Sequence, residues 1–144
     1  MRWLLLDQVV AVHRGKKAVT LSRVPQAPYS REVLFIEMMA QTGGLLVGAE
    51  SDYNNDVIFA KIETATFTEP PAPGTALTIE ASADGLAPEG GWIEGQITSS
   101  GGVVAKAKLL LMSVGRLIPE SQRSIAFHDN FMNHFKVREK VTVS

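Results

Sequence analysis

One long apolar segment stands out in a chain that otherwise alternates short apolar runs with turn residues. It extends from Val33 to Val47. The segment lacks the alternation of a strand, is too long for one, and is apolar nearly all round, which predicts a buried helix. Ser30 suits the N-cap, and Glu32 in the first turn suits the helix dipole. We therefore expect a buried helix from about Ser30 to Gly48.

The shorter apolar runs predict antiparallel strands. A β-hairpin is expected first, because Leu4 to Val12 and Ala18 to Val24 contain many β-branched residues and Gly15 supplies the turn between them. Four further strands, separated by turns rich in glycine, proline or serine, are expected over Val57 to Phe67, Ala76 to Ala83, Gly91 to Ser99 and Val103 to Val114. A lone apolar helix needs a sheet to cover it. The order therefore predicts an α+β fold in which a curved antiparallel sheet wraps one long central helix.

This domain is expected to occupy residues 1–118, followed by a C-terminal tail over residues 119–144. Polarity rises from Pro119 onward. A short helix is predicted from Ser121 to Lys136, because Phe127, Phe131 and Phe135 recur every four residues on one face. We expect this tail to pack on the domain or on a partner chain.

Composition and charge narrow the function classes. With 144 residues, 45% of them hydrophobic and 20% charged, the chain is typical of one soluble domain. A net charge of −1 gives no basic surplus for nucleic acid. The absence of cysteine excludes disulfides, thiolate catalysis and cysteine-ligated zinc. Asp7 and Gln8 end the first apolar run too early for a signal peptide or a membrane span, so a cytoplasmic protein is expected. No metal-ligand cluster or phosphate loop is found, and no cofactor is expected.

Three stretches resemble one known family, in the family's order. Val33 to Gln41, which reads VLFIEMMAQ, closely resembles the central-helix motif of the 3-hydroxyacyl-[acyl carrier protein] dehydratases. Leu4 to Val9 with Gly15 to Val19 resembles that family's first hairpin, and Phe59 to Phe67 resembles its next strand. The match runs from about Leu4 to Val114. It implies a hot-dog fold, a homodimer or higher even oligomer with its active site at the dimer interface, and a thioester of acyl carrier protein or coenzyme A as the molecule that binds there.

The same resemblance implies the residues of the site. Dehydration needs a base for the proton beside the thioester carbonyl, an acid for the departing hydroxide, and a donor that holds the carbonyl oxygen. Glu37 matches the family's acid, and Gln41, one turn on and on the same helical face, matches its glutamine. Arg31 and Glu32 stand where the family has Pro-Gly and a polarising amide. The strand residues expected to contact the substrate are Phe59, Ala60 and Lys61.

The family's loop histidine has no counterpart in this chain. The loop is shortened to Pro25 through Glu32, and no histidine lies between His13 and His128. Tyr29 in the loop is a candidate hydrogen-bond donor to the substrate. His13, beside a hairpin turn, is expected to be solvated. A tail that folds back could bring His128 or His134 to the site, but their spacing of six does not suit a metal pair on one helical face.

Three functions therefore stay open. The first is a dehydratase-like lyase of fatty acid or polyketide-type metabolism with an altered base. The second is a thioesterase that uses Glu37, since related hot-dog enzymes work with one helix carboxylate and no histidine. The third is a non-catalytic acyl-binding or partner subunit. Glu37 favours an enzyme and the missing histidine favours the last two functions, but the helix motif places the dehydratase-like function first.

Overall fold

In the described part of the chain, an eight-stranded sheet surrounds one long helix. The computed structural model describes residues 5–26, 29–115, 124–125 and 129–143. The strands are β1 (Gln8–His13), β2 (Lys17–Arg23), β3 (Asp56–Phe67), β4 (Ala76–Ser82), β5 (Gly90–Ser99), β6 (Gly102–Val114), β7 (Ser124–Ile125) and β8 (Val141–Thr142). The helices are α1 (Arg31–Ala49), α2 (Asp129–Phe135) and α3 (Val137–Lys140). The sheet order is β7-β3-β6-β5-β4-β2-β1-β8, and the described pairs are antiparallel except β1 with β8. The predicted α+β architecture, with the sheet wrapped around one helix, is confirmed.

The central helix begins where the sequence predicts. Ser30 is the N-cap, and its hydroxyl accepts a hydrogen bond from the amide of Val33 at 3.2 Å. Every residue from Met38 to Ala49 is buried. The helix is long and apolar enough to cross a membrane by composition alone, but most of it is buried within the protein, as in the core helix of a globular domain.

Two glycines let the helix and the sheet approach closely. A Cβ atom on Gly43 would lie 2.8 Å from Cδ1 of Leu111 and 3.1 Å from Cγ2 of Ile93. On the sheet side, a Cβ atom on Gly95 would lie 2.9 Å from Sδ of Met39. Because real Cβ atoms hardly ever come this near to other atoms, a larger residue at either position would force its neighbours to move. Gly43 therefore marks a close approach of α1 to β5 and β6.

A buried hydrogen bond fixes the rotational orientation of α1 relative to the sheet. The hydroxyls of Thr20 on β2 and Thr42 on α1 are 2.8 Å apart, and both residues are fully buried. The Thr42 hydroxyl also lies 2.8 Å from the carbonyl oxygen of Met38. With Thr42 facing β2 and Gly43 facing β5 and β6, the side of α1 that carries Glu37 turns away from the middle of the sheet.

The C-terminal tail reaches both edges of the sheet. β7 pairs with β3 at Val57 and Ile58, and β8 pairs with β1 at Val12 and His13. The tail helix α2 is shorter than the predicted helix from Ser121 to Lys136, and β7 occupies part of that range. Long-range strand pairing thus overrides the local helical pattern. Of the three phenylalanines that suggested the helix, Phe135 is buried, Phe127 lies outside the described residues, and so does the side chain of Phe131.

Candidate functional site

A half-open apolar seam lies between the N-terminal half of α1 and the inner face of β3. On α1, Val33 is 50% exposed, and Ile36 and Glu37 are half-buried. On β3, Ile62 pairs with the buried Leu109 and so faces inward, yet it remains 42% exposed. We define the α1–β3 seam by the residues Val33, Ile36, Glu37, Phe59, Ile62, Ala65 and Phe67.

The inner wall of this seam is part of the hydrophobic core. Ile36, Phe59, Ala65 and Phe67 are half-buried and pack against the core cluster that contains Met38. The seam is therefore apolar, lies against well-packed side chains, and remains open on its outer side. A site of this kind suits a ligand with a hydrocarbon chain.

Glu37 lies beside the seam, and Gln41 contacts it from the next turn of α1. The amide Nε2 of Gln41 donates to Oε1 of Glu37 at 3.3 Å, and the amide Oε1 of Gln41 accepts from the backbone N–H of Leu5 at 3.3 Å. Gln41 is only 7% exposed. The contact with Leu5 fixes which end of the amide faces the carboxylate, so Gln41 holds Glu37 through a donated hydrogen bond.

The start of α1 supplies backbone donors near the same seam. Ser30 satisfies the amide of Val33, whereas the amides of Arg31 and Glu32 precede the first intrahelical hydrogen bonds. Glu37 lies five positions after Glu32, a rise of about 8 Å along the helix axis. The helix dipole favours negative charge at this end, which suits an oxygen that gains charge during a reaction.

The remaining expected site residues lie further out. Tyr29 is 51% exposed just before the N-cap, and Glu32 is exposed in the first turn. Ala60 is exposed and is the extra residue of a bulge in β3. Lys61 is exposed and pairs with Leu110, so it lies on the outer face of the sheet. The structure thus brings Phe59 to the seam but leaves Lys61 on the opposite face of β3.

Two of the three histidines can be placed. His13 ends β1, and its neighbour Arg14 donates from Nη2 to the carbonyl oxygen of Glu50 at 3.2 Å. His13 is therefore at the C-terminal end of α1, about 20 Å along the helix from Glu37. The expectation that His13 is solvated is wrong, because its Nε2 is buried, with no hydrogen-bond partner among the described residues. His134 is exposed on α2, and His128 lies outside the described residues.

The chain is similar to known proteins in sequence and in fold. No family model matches the chain. The 3-hydroxyacyl-[acyl-carrier-protein] dehydratase FabZ of Listeria monocytogenes is 29% identical, over 88% of this chain and 87% of the relative. Among solved structures, the dehydratase heterocomplex ApeI:P from Xenorhabdus doucetiae superposes with a TM-score of 0.63 at 18% identity, over 78% of this chain and 84% of that one. A hypothetical thioesterase protein with coenzyme A from Streptococcus pneumoniae gives a TM-score of 0.61 at 16% identity, over 77% and 88% of the two chains.

The wrapped helix and these structural neighbours define a hot-dog-fold protein. Glu37 and Gln41 lie in the VLFIEMMAQ segment of α1, which resembles the central-helix motif of the dehydratases. The chain is similar to the 3-hydroxyacyl-[acyl-carrier-protein] dehydratase FabZ over most of its length, and it has no histidine between His13 and His128.

Proposed function

We propose that this protein binds acyl thioesters of acyl carrier protein or coenzyme A in the α1–β3 seam and acts on them through Glu37, in the cytoplasm. The observation that carries this proposal is a half-buried carboxylate, held by a buried glutamine, beside an apolar seam. The seam suits the hydrocarbon chain, and the carboxylate suits proton transfer at the thioester end. Relatives named as dehydratases of acyl-carrier-protein substrates support the same proposal.

Glu37 can catalyse a dehydration through two successive proton transfers, first as the base and then as the acid. Its carboxylate takes the proton from C2 of a 3-hydroxyacyl thioester while the start of α1 stabilises charge on the carbonyl oxygen. The electrons of the C2–H bond form the double bond to C3. The protonated Glu37 then returns that proton to the hydroxyl that leaves C3, and water departs. The charge on Glu37 is the same at the start and at the end.

Thioester hydrolysis is the second candidate, and the missing loop histidine favours it. In hydrolysis one carboxylate is sufficient as a general base, since Glu37 takes a proton from water while the water oxygen attacks the thioester carbonyl. The tetrahedral intermediate then expels the thiolate, which receives the proton. A non-catalytic partner subunit, which would bind acyl groups without turning them over, is the third candidate.

The wild-type protein should show weak or no hydration of crotonyl-type thioesters. A dehydratase divides the work between a base and an acid, and the loss of one partner typically costs a factor of about 10² to 10⁴ in rate. The measurement is incubation with 3-hydroxyacyl, enoyl and saturated acyl thioesters, following both free thiol and double-bond absorbance. Thiol release from all three would identify a thioesterase. Binding without either signal would identify an acyl-binding subunit, and fast hydration would contradict the prediction.

We further infer that two copies join along β3. β7 covers only Val57 and Ile58, so the described residues leave one edge of β3 unpaired from Phe59 to Phe67. A free edge of this length invites another strand. A second copy placed antiparallel here would continue the sheet and cover the exposed Ile62, together with the open side of the seam.

The charges on this edge are self-complementary. Lys61 and Glu63 are both exposed and flank Ile62. If the two-fold axis passes through Ile62, Lys61 lies opposite the partner's Glu63, and the reverse pair forms as well. Opposite charges facing each other across strands stabilise pairing, whereas like charges destabilise it.

Charge reversal should therefore split the dimer. Lys61→Glu would place acidic groups opposite each other twice, which should weaken self-association by about tenfold or more. Light scattering or sedimentation at micromolar concentration measures this. Glu63→Lys should behave alike, and mixing the two variants should restore a heterodimer. Lys106→Glu on β6, a strand paired on both sides, is the matched control. A wild-type monomer, or a Lys61→Glu dimer as tight as wild type, would contradict the β3 interface.

A further inference from the structure

The tail crosses the side of α1 that the sheet leaves uncovered. β7 is attached to β3, and β8 is attached to β1. The strands β3 and β1, to which the tail is attached, border the opening through which Glu37 faces outward. The chain between β7 and β8 contains α2 and α3, and α3 lies against β1. The tail therefore bridges the two borders of the opening.

The tail seals only the C-terminal half of that opening. Met132, Phe135 and Val137 are 7%, 6% and 0% exposed. They belong to one core cluster with the α1 residues Leu45 and Leu46 and with Val57 at the start of β3. The exposed and half-buried residues of α1, Val33 and Glu37 among them, all precede Met38. One half of the opening is thus packed core, and the other half is the seam.

An exposed ion pair joins α3 to the turn that follows α1. Arg138 of α3 contacts Oδ1 of Asp52 at 2.9 Å and lies 5.9 Å from the centre of the Tyr53 ring. Tyr53 in turn donates its hydroxyl proton to the carbonyl oxygen of Leu45 at 2.9 Å, and burial raises the pKa of its phenol. Since Tyr53 stays protonated, this hydrogen bond persists across the physiological pH range.

Phe59 stands where the seam meets the sealed half. It packs against the core cluster of the seam and also against the cluster that contains the tail residues. From Glu37 to Leu45 the helix rises about 12 Å, the length of a medium acyl chain. The carrier must stay in solvent, so it enters at the exposed start of α1, and the acyl chain points towards the sealed half.

We infer that the tail helices α2 and α3 form the end wall of the acyl site, with Phe135 and Met132 limiting the length of the acyl chain. This inference rests on the proposed acyl-thioester function. It makes the protein selective for short and medium acyl groups. A long chain would have to displace packed side chains of the tail, because Met132 and Phe135 are buried in one core cluster with Leu45 and Leu46.

Isothermal titration calorimetry with butyryl-, octanoyl- and dodecanoyl-coenzyme A tests whether the tail limits the length of the bound acyl chain. The wild-type protein should bind the first two and reject the third. Phe135→Leu, which shortens the side chain with little risk to folding, should improve dodecanoyl binding relative to butyryl binding by about tenfold. Met132→Ala should act in the same direction. Thermal melting of each variant shows that it is folded.

Ile93→Val is the matched control. Ile93 is in the same core cluster but belongs to β5, which pairs with β4 and β6 in the middle of the sheet. It should lower stability without changing the ratio of dodecanoyl to butyryl binding. An unchanged ratio in folded Phe135→Leu, or equal wild-type affinity for all three thioesters, would overturn the end wall alone. If the wild-type protein binds none of them, the acyl-thioester function itself fails, and the wall with it.

Discussion

Replacing Glu37 by glutamine should reduce any thioester turnover by at least about 10²-fold, because the substitution removes the group that exchanges protons with substrate or water. Glutamine preserves the size of the side chain and can still hydrogen-bond to Gln41 after an amide rotation. The seam should therefore keep its shape, and the effect should fall on kcat with little change in KM. Steady-state kinetics on the best substrate of the wild-type protein would measure both.

Two further measurements make the Glu37 result interpretable. Glu94→Gln makes the same chemical change at an exposed position on β5 and should leave turnover unchanged. Acyl-coenzyme A binding by Glu37→Gln should match wild type, which separates lost chemistry from lost binding. Turnover that survives Glu37→Gln would refute the mechanism and direct attention to His128 or His134.

Gly90→Ala should destabilise the protein by at least about 2 kcal/mol more than Gly102→Ala, since it adds a backbone clash to the same conformational strain. Gly90 has φ +111° and Gly102 has φ +119°, values that L side chains rarely adopt. A Cβ atom on Gly90 would lie 2.2 Å from the carbonyl oxygen of Leu111, whereas a Cβ atom on Gly102 would have no atom within 4 Å.

The two glycine variants therefore form a matched pair. Both should lose stability through strain, but only Gly90→Ala must push β5 away from β6. Urea unfolding, with the slope checked for two-state behaviour, gives the difference in the free energy of unfolding. Equal losses would mean that β6 shifts freely at Leu111. Because β6 also pairs with β3, a shift there would propagate to the wall of the seam.

Local sequence signals were sufficient for most of the fold. Ser30 followed by a long apolar run gave the start of α1, and the turn at Gly15 gave the hairpin. The tail strands escaped prediction because each is two residues long and exists only through pairing with a distant strand. A period-four aromatic pattern suggested helix over residues that include β7, since nothing local marks so short a strand.

The sequence predicted which residues of α1 share one face at the candidate site, but it did not predict the orientation of side chains on β3. A spacing of four placed Glu37 and Gln41 on one face, and the structure joins them by a hydrogen bond. The anchoring of Gln41 by Leu5 spans 36 residues of sequence and leaves no local signal. The bulges of β3 interrupt strict alternation, so the orientation of Lys61 could not be read from a count of residues.

The tail pairs with both edges of the sheet, and this has a consequence for folding during synthesis on the ribosome. The strand β6 ends at Val114, and β8 begins at Val141. At about 5 to 20 residues per second, roughly 1 to 5 seconds pass between the two. During that interval the apolar C-terminal half of α1 lacks its cover from α2 and α3. The nascent domain should therefore be a client for chaperones that bind exposed hydrocarbon surface, until the tail emerges and closes it.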